Sequence, residues 1–107
     1  MALLTVQQIG SPSTPTYAAV SASDTVAADP AGLILHVKNA GGTIDTVTLT
    51  DPGSTPAGSA ATNPTFTVPI TTGDRMYKLS ASLQNSSGII TIAHSFTTSV
   101  TCAVFRA

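Results

Sequence analysis

A chain of 107 residues has the usual length of one domain. Its formal net charge is −1, and only 8% of its residues are charged, against about 25% in an average soluble domain. This charge pattern gives no electrostatic reason to expect a nucleic acid or an anionic membrane as a partner. Aromatic residues make up 5% and Trp is absent, so the core must consist mainly of Ala, Val, Ile and Leu.

The N-terminal residues carry neither the basic region nor the long apolar region of a signal peptide. No apolar run approaches the roughly 20 residues of a membrane-spanning helix. Cys102 is the only cysteine, which excludes an internal disulfide. These features predict a protein made in the cytoplasm and not exported by the general secretory route.

Residues 1–16 combine a short apolar stretch with a segment rich in Ser, Thr and Pro. Leu3 to Val6 is the apolar stretch, Gln7-Gln8-Ile9 comes next, and Pro12 and Pro15 follow among small polar residues. Because proline cannot donate to a β-ladder, this second part favours an extended path. Two interpretations stay open: an ordinary first strand plus loop, or an N-terminal arm that reaches a neighbouring subunit.

Residues 17–107 form the predicted main domain, and its strands alternate with clear turn signals. Weak strand candidates at 17–20 and 25–28 precede the turn at 29–32. The segment 33–39 is a strong strand candidate, with Leu33, Leu35 and Val37 on its core face. The segment 44–50 also alternates, and Gly41-Gly42 would join it to the preceding strand as a hairpin by supplying positive φ angles.

The second half of the chain shows the same alternation after a loop at 52–64. Strands are predicted at 65–70, 75–79, 89–94 and 100–105, with turns at 71–74 and 85–88. Pro69 should end its strand or place that strand at a sheet edge. Seven or eight short antiparallel strands without helical periodicity predict an all-β, single-domain β-sandwich, of jelly-roll type by strand count.

Histidine and cysteine show no spacing typical of a reactive or metal-binding site. His36 and His94 lie on separate predicted strands without an acidic residue in the local motif, so they are expected to face water or a neighbour. No pair matches the ligand spacing of a zinc site. Cys102 lacks a local base, and we expect it to act as a small buried hydrophobe.

The acidic residues are all aspartates, and their positions favour turn capping. Asp24, Asp29, Asp51 and Asp74 lie beside turn residues, and Asp45 begins a strand. They do not cluster as in a calcium loop. A paired-carboxylate site is not indicated.

The four bases are Lys38, Arg75, Lys78 and Arg106. Arg75 and Lys78 flank Tyr77, which favours a rim contact with another protein over nucleic acid. No phosphate-binding loop or nucleophile elbow is present. The sequence therefore predicts no catalytic, cofactor-binding or metal-binding residues, and a protein that is not an enzyme.

Four segments in a fixed order resemble one protein family. They are Leu33 to Gly42, Val47 to Gly53, Thr67 to Pro69 with Gly73 to Arg75, and Ser87 to Ile92. Over residues 32–106 the chain is similar to the small accessory head proteins of tailed bacteriophages. The resemblance implies a capsid-decorating or capsid-stabilising protein in the virion. Its implied partners are the major capsid protein and copies of itself, with a trimer as one possible oligomer.

Two other function classes remain open. The same fold could serve a tail, connector, fibre or spike subunit of a virion. A carbohydrate-binding adhesive module would need exposed aromatic residues, and the sequence offers only Tyr17 and Tyr77 as tyrosines and no Trp.

Overall fold

The computed structural model describes residues 2–10, 14–54, 56–60 and 62–106, and it confirms an all-β chain. Ten strands lie in these residues, seven of them four residues or longer, where the sequence predicted seven or eight. They are β1 Ala2–Leu3, β2 Val6–Gln8, β3 Ala18–Ala19, β4 Ser23–Ala27, β5 Leu33–Asn39, β6 Asp45–Leu49, β7 Thr65–Val68, β8 Gly73–Leu79, β9 Ile89–His94 and β10 Val100–Arg106. A short 3₁₀ helix, Ala81–Leu83, precedes β9.

The strands form two sheets. Sheet A has the order β1-β4-β9-β6-β7, and sheet B has the order β2-β10-β5-β8, with β3 also paired to β10. The ladders are antiparallel except at the N-terminus, where β1 pairs with β4 and β2 pairs with β10 in parallel. In sheet A, β9 lies between β4 and β6, and in sheet B, β10 pairs with β5. These central ladders join strands that are distant in sequence.

The inner faces of both sheets contribute to one hydrophobic core. Strand β5 buries alternate residues, as its period of two predicts, and β6 and β9 follow the same rule. The fully buried large side chains are Leu33, Leu35, Leu49, Leu79, Ile90, Ile92 and the valines 26, 37, 47, 68, 100 and 104. This core is aliphatic, as the composition predicted.

The predicted hairpin between residues 33–39 and 44–50 is wrong. Strand β5 pairs with β10 and β8, whereas β6 pairs with β7 and β9, so the two strands belong to different sheets. Neither Gly41 nor Gly42 has a positive φ. A Cβ on Gly41 would lie 2.6 Å from Phe96 Cε2 and 2.7 Å from the Thr98 carbonyl oxygen. Glycine is needed there for close approach, and the turn carries the chain from one sheet to the other.

The N-terminal segment lies along edges of both sheets. The backbone N–H of Leu4 donates to Thr25, and the N–H of Ile9 donates to Arg106. The Gln7 side chain exchanges two hydrogen bonds with the backbone of Thr16. Of the predicted segment 1–16, residues 1 and 11–13 lie outside the described residues.

Strand β7 is an edge strand of sheet A. It ends at Val68, directly before Pro69, as the missing proline N–H predicts.

Candidate functional site

Three ionisable side chains meet inside the protein at one end of sheet A. Asp24, Asp45 and His94 lie on the adjacent strands β4, β6 and β9, and their side chains have no exposed surface. Each occupies a position that continues the buried alternation of its strand. Strand pairing therefore places the three polar groups at the end of an otherwise aliphatic face.

Hydrogen bonds hold both carboxylates of this buried cluster. Asp45 Oδ2 lies 2.7 Å from His94 Nδ1, and Asp45 Oδ1 accepts from the backbone N–H of Phe96. Asp24 Oδ2 accepts from the backbone N–H of Ser21, whose hydroxyl contacts Asp24 Oδ1. His94 Nε2 is 4.0 Å from Asp24 Oδ2 and has no hydrogen-bond partner among the described residues.

The expectation that both histidines face water or a neighbour is wrong for His94. Its carboxylate partner lies 49 residues away in sequence, so no local motif could show the pair. The available signal was the alternation of Ile90, Ile92 and His94, which predicts an inward imidazole.

Cys102 lies across the core on sheet B, where it is buried as predicted. Burial, reinforced by the negative charges of Asp24 and Asp45, raises the pKa of the Cys102 thiol to about 12. A protonated, buried thiol is a poor nucleophile. Among the described residues, no group of three or more His, Cys, Asp or Glu side chains could hold a metal ion. The side chains of the buried cluster have no exposed surface, and the contact between Asp45 and His94 joins strands β6 and β9.

A second polar cluster lies on the outer face of sheet B. The hydroxyl of Tyr17 lies 2.6 Å from His36 Nδ1, and His36 Nε2 contacts Asp74 Oδ1. The Lys38 ammonium lies 4.2 Å from the centroid of the Tyr17 ring, within the range of a cation–π contact. We call Tyr17, His36, Lys38 and Asp74 the outer cluster.

The strand register explains how the outer cluster forms. His36 and Lys38 are two residues apart on β5, and Asp74 lies opposite Lys38 on β8. Tyr17 precedes β3 and packs its ring edge-on against His36 and Phe105. His36 is thus held from both sides, and an acidic residue accompanies it although none is near in sequence.

The remaining predicted residues lie apart from these clusters. Asp29 and Asp51 accept backbone hydrogen bonds from Ala31 and Gly53, as turn-capping residues do. Tyr77 stacks on Phe66, whereas its neighbours Arg75 and Lys78 are exposed.

The outer face of sheet A is free of charge on its four longer strands, β4, β6, β7 and β9. The strand register and the alternation of buried and less buried residues agree on which ten side chains of these strands point outward. They are Ser23, Thr25, Ala27, Thr46, Thr48, Thr65, Thr67, Ile89, Thr91 and Ala93. Six of the ten are threonines, so the face presents methyl and hydroxyl groups together. We call it the threonine face.

Comparisons with known proteins gave no match. No protein-family model matches the chain, and no curated protein and no solved structure shows significant similarity to it. Within the described residues, no helix has the length and apolar character needed to cross a membrane.

Proposed function

We propose that this chain is a structural virion protein that binds and stabilises the exterior of a phage capsid. In this proposal it is a decoration or cement protein without catalysis. Its partners are the major capsid protein and copies of itself, as a homo-oligomer such as a trimer. It is made in the cytoplasm of a host bacterium and then resides on the capsid surface.

The threonine face is the observation that carries this proposal. Burying a charge in an interface is costly unless it is paired, and this face has none to bury. Threonine also combines a methyl group, which can be desolvated, with a hydroxyl that can donate and accept. A partner could therefore cover the face without matching a charge pattern.

The state of the reactive groups supports a role without chemistry. The buried cluster is sealed from solvent, and the Cys102 thiol is buried, with a raised pKa. An enzyme site needs reactive groups that a substrate can reach. The outer cluster is accessible, but it better fits binding, since His36 is already engaged by Tyr17 and Asp74.

We propose a β-sandwich of jelly-roll type as the finer description of the fold. Two sheets with a common core and mainly antiparallel ladders support it, as in sandwiches generally. Backbone NOE contacts between paired strands in solution, compared with the jelly-roll strand order, test this description.

Cryo-electron microscopy of the assembled particle tests the proposed function. We expect density for this chain on the outer shell, with the threonine face toward the capsid protein. An intact shell without such density contradicts the proposal. Copy number separates the alternative virion roles: hundreds of copies fit decoration, whereas a few to a dozen fit a tail, connector or fibre subunit.

Two matched variants test the face itself. Thr67→Lys places a charge at an exposed position of the threonine face, and Met76→Lys places one on the outer face of sheet B. We expect particles to lose the Thr67→Lys protein and to retain the Met76→Lys protein. Native mass spectrometry of the isolated chain reports whether either substitution changes the oligomer.

A further inference from the structure

Strand β8 forms an open edge of sheet B. It spans seven residues, whereas the other edge strands described, β1, β2 and β7, span two to four. Among the described residues β8 pairs only with β5, and the backbone hydrogen bonds outside the ladders involve none of residues 74–78. One side of β8 therefore carries a row of backbone donors and acceptors without a protein partner.

The side chains of β8 are accessible on both faces of the sheet. Its neighbour β5 alternates between buried and less buried residues, but β8 has no buried residue from Asp74 to Lys78. Met76 is 61% exposed, and Tyr77 is half-buried where it stacks on Phe66. The strand therefore presents an unpaired edge and accessible side chains together.

The charges on β8 are arranged symmetrically about Met76. Asp74 lies two residues before Met76 and Lys78 two residues after it, so all three share the outer face. Arg75 and Tyr77 flank Met76 and share the opposite face. Among the residues that the structure describes, the side chains of Arg75 and Lys78 have no ion-pair or hydrogen-bond partner. Charges on an edge strand usually discourage pairing, but this order makes the strand complementary to itself.

We propose that two copies of this chain associate through their β8 strands, which pair antiparallel about a two-fold axis at Met76. The two copies of sheet B then form one continuous sheet, and the contact uses the same surface of both copies. On the outer face each Asp74 lies opposite the Lys78 of the second copy. On the inner face each Arg75 lies opposite the Tyr77 of the second copy. Directly opposed side chains are close enough for such charge and cation–π pairs.

Symmetry leaves few alternative registers for this pairing. Because directly opposed side chains share a face of the sheet, a two-fold axis normal to the sheet must pass through a residue of β8. An axis at Arg75 sets two guanidinium groups against each other. An axis at Tyr77 places Met76 opposite Lys78 and leaves Asp74 without a charged partner. Only the axis at Met76 sets the acidic residue of β8 opposite a basic residue of the other copy.

The contacts within each chain leave these groups able to pair. Asp74 reaches His36 through Oδ1, and its Oδ2 has no partner among the described residues. Tyr77 remains partly exposed although it stacks on Phe66, so a guanidinium of the second copy can reach its ring. Dimerisation therefore requires no rearrangement of the outer cluster.

This contact goes further than the homo-oligomer of the proposed function, since it specifies the strand, the register and the symmetry. It does not rest on the virion role, and it lies on the sheet opposite the threonine face. Met76→Lys sets two ammonium groups on the axis and should separate the copies, while the threonine face stays intact. The dimer and the capsid contact are therefore tested independently.

Sedimentation of the isolated chain in an analytical ultracentrifuge tests whether the dimer exists. The dilution series extends to about 1 mM, the weak end of measurable association. We expect a dimer that dissociates on dilution and with added salt, because salt screens its exposed charge pairs. A monomer at every concentration overturns the proposal, as does an oligomer that Met76→Lys leaves unchanged.

Two single charge reversals test the pairing itself. Asp74→Lys sets lysines opposite each other at both ends of the contact, and Lys78→Asp sets aspartates there. We expect each variant alone to dimerise at least about tenfold more weakly than the unmodified chain. An equimolar mixture should regain the original affinity, because every opposed pair then joins a lysine to an aspartate. Unchanged dimerisation of the single variants, or a mixture as weak as its components, overturns the proposal.

Cysteine cross-linking tests the register without reversing a charge. Met76→Cys sets two thiols opposite each other, with Cα atoms about 4.5–5.5 Å apart, which suits a disulfide. Lys78→Cys is the matched control, since its two thiols lie four residues apart along the strands, at about 13 Å. Oxidised glutathione should convert the first variant into a covalent dimer and leave the second a monomer. Equal cross-linking of both overturns the proposal.

Two features of the chain keep these results interpretable. Cys102 is buried, so it does not compete with an introduced surface thiol. Thermal unfolding of each variant reports whether it remains folded, and if a charge reversal unfolds the chain, the cross-linking of Met76→Cys against Lys78→Cys decides the proposal.

Discussion

The imidazole of His94 and the carboxylate of Asp45 form a buried pair, with Nδ1 2.7 Å from Oδ2 and neither side chain exposed. The pair joins the first residue of β6 to the last residue of β9. It therefore fixes the relative position of two central strands of sheet A at the end where the aliphatic core stops.

Asp45→Ala should destabilise the protein by about 3–5 kcal/mol, the usual cost of removing one partner of a buried pair. The substitution leaves the His94 imidazole and the Phe96 N–H without their acceptor. Urea unfolding measures the change. Asp51→Ala is the control, since that carboxylate caps a turn and should cost about 1 kcal/mol. If both variants lose the same free energy of unfolding, the buried pair stabilises the fold no more than the turn cap does.

The Cys102 thiol should make the fold sensitive to alkali. Its pKa rises from 9.0 to about 12 in the folded chain. Below pH 9 both states keep the proton. Between pH 9 and 12 the unfolded chain releases a proton that the folded chain retains, so the free energy of unfolding falls as pH rises.

Urea unfolding across this pH range tests the Cys102 prediction. Cys102→Ala should lack this part of the alkaline loss, although its stability at neutral pH is lower. A disulfide-exchange reagent at pH 8 provides a second measurement: the thiol should react slowly in the native chain and rapidly in urea. A rapid reaction without denaturant would contradict the prediction.

Gly41 and Gly42 should differ sharply in their tolerance of a methyl group. Gly41→Ala would press a Cβ against Phe96 and the Thr98 carbonyl, and overpacking of this kind costs about 1–3 kcal/mol. A Cβ on Gly42 has nothing within 4 Å, so Gly42→Ala should be neutral or slightly stabilising. Thermal unfolding of the two variants compares neighbours that are chemically identical, and a similar decrease in Tm would contradict the assigned contact.

Thr71 and Thr72 offer a comparable pair for backbone strain. Thr71→Gly relieves a left-handed conformation and should stabilise the chain by about 0.5–1 kcal/mol. Thr72 has no positive φ, so Thr72→Gly should destabilise it by a similar amount through unfolded-state entropy. Opposite signs in urea unfolding are the expected result. If both variants are destabilised, the strain at Thr71 is not a significant term.

The strands and their inward faces were largely predictable, because side-chain alternation is a local property. Leu33, Leu35 and Val37 point inward as their spacing indicates, and Pro69 ends β7 for want of an N–H. The same rule, applied one step further along β9, would have placed His94 in the core. The outer cluster had no comparable signal, because Asp74 is 38 residues from His36.

At Gly41 the predicted turn is present, but the predicted reason for glycine at this position is wrong. The sequence predicted a turn at Gly41-Gly42 but explained it by backbone torsion within a hairpin. The need for glycine comes from Phe96 and Thr98, which arrive from the connection after β9. A steric requirement imposed by residues distant in sequence cannot be predicted from the residues next to Gly41.

The sequence by itself determined the all-β class, most of the strands, the aliphatic core and the scarcity of charge, since these follow from composition and from contacts between near neighbours. Tertiary structure alone decided that β5 and β6 belong to different sheets, that Asp24, Asp45 and His94 meet inside the protein, and that the threonines collect on one face. The physical reason is that ladder hydrogen bonds are the same for every residue type. Which strands pair is therefore set by packing of the whole core, and the pairing brings distant side chains together.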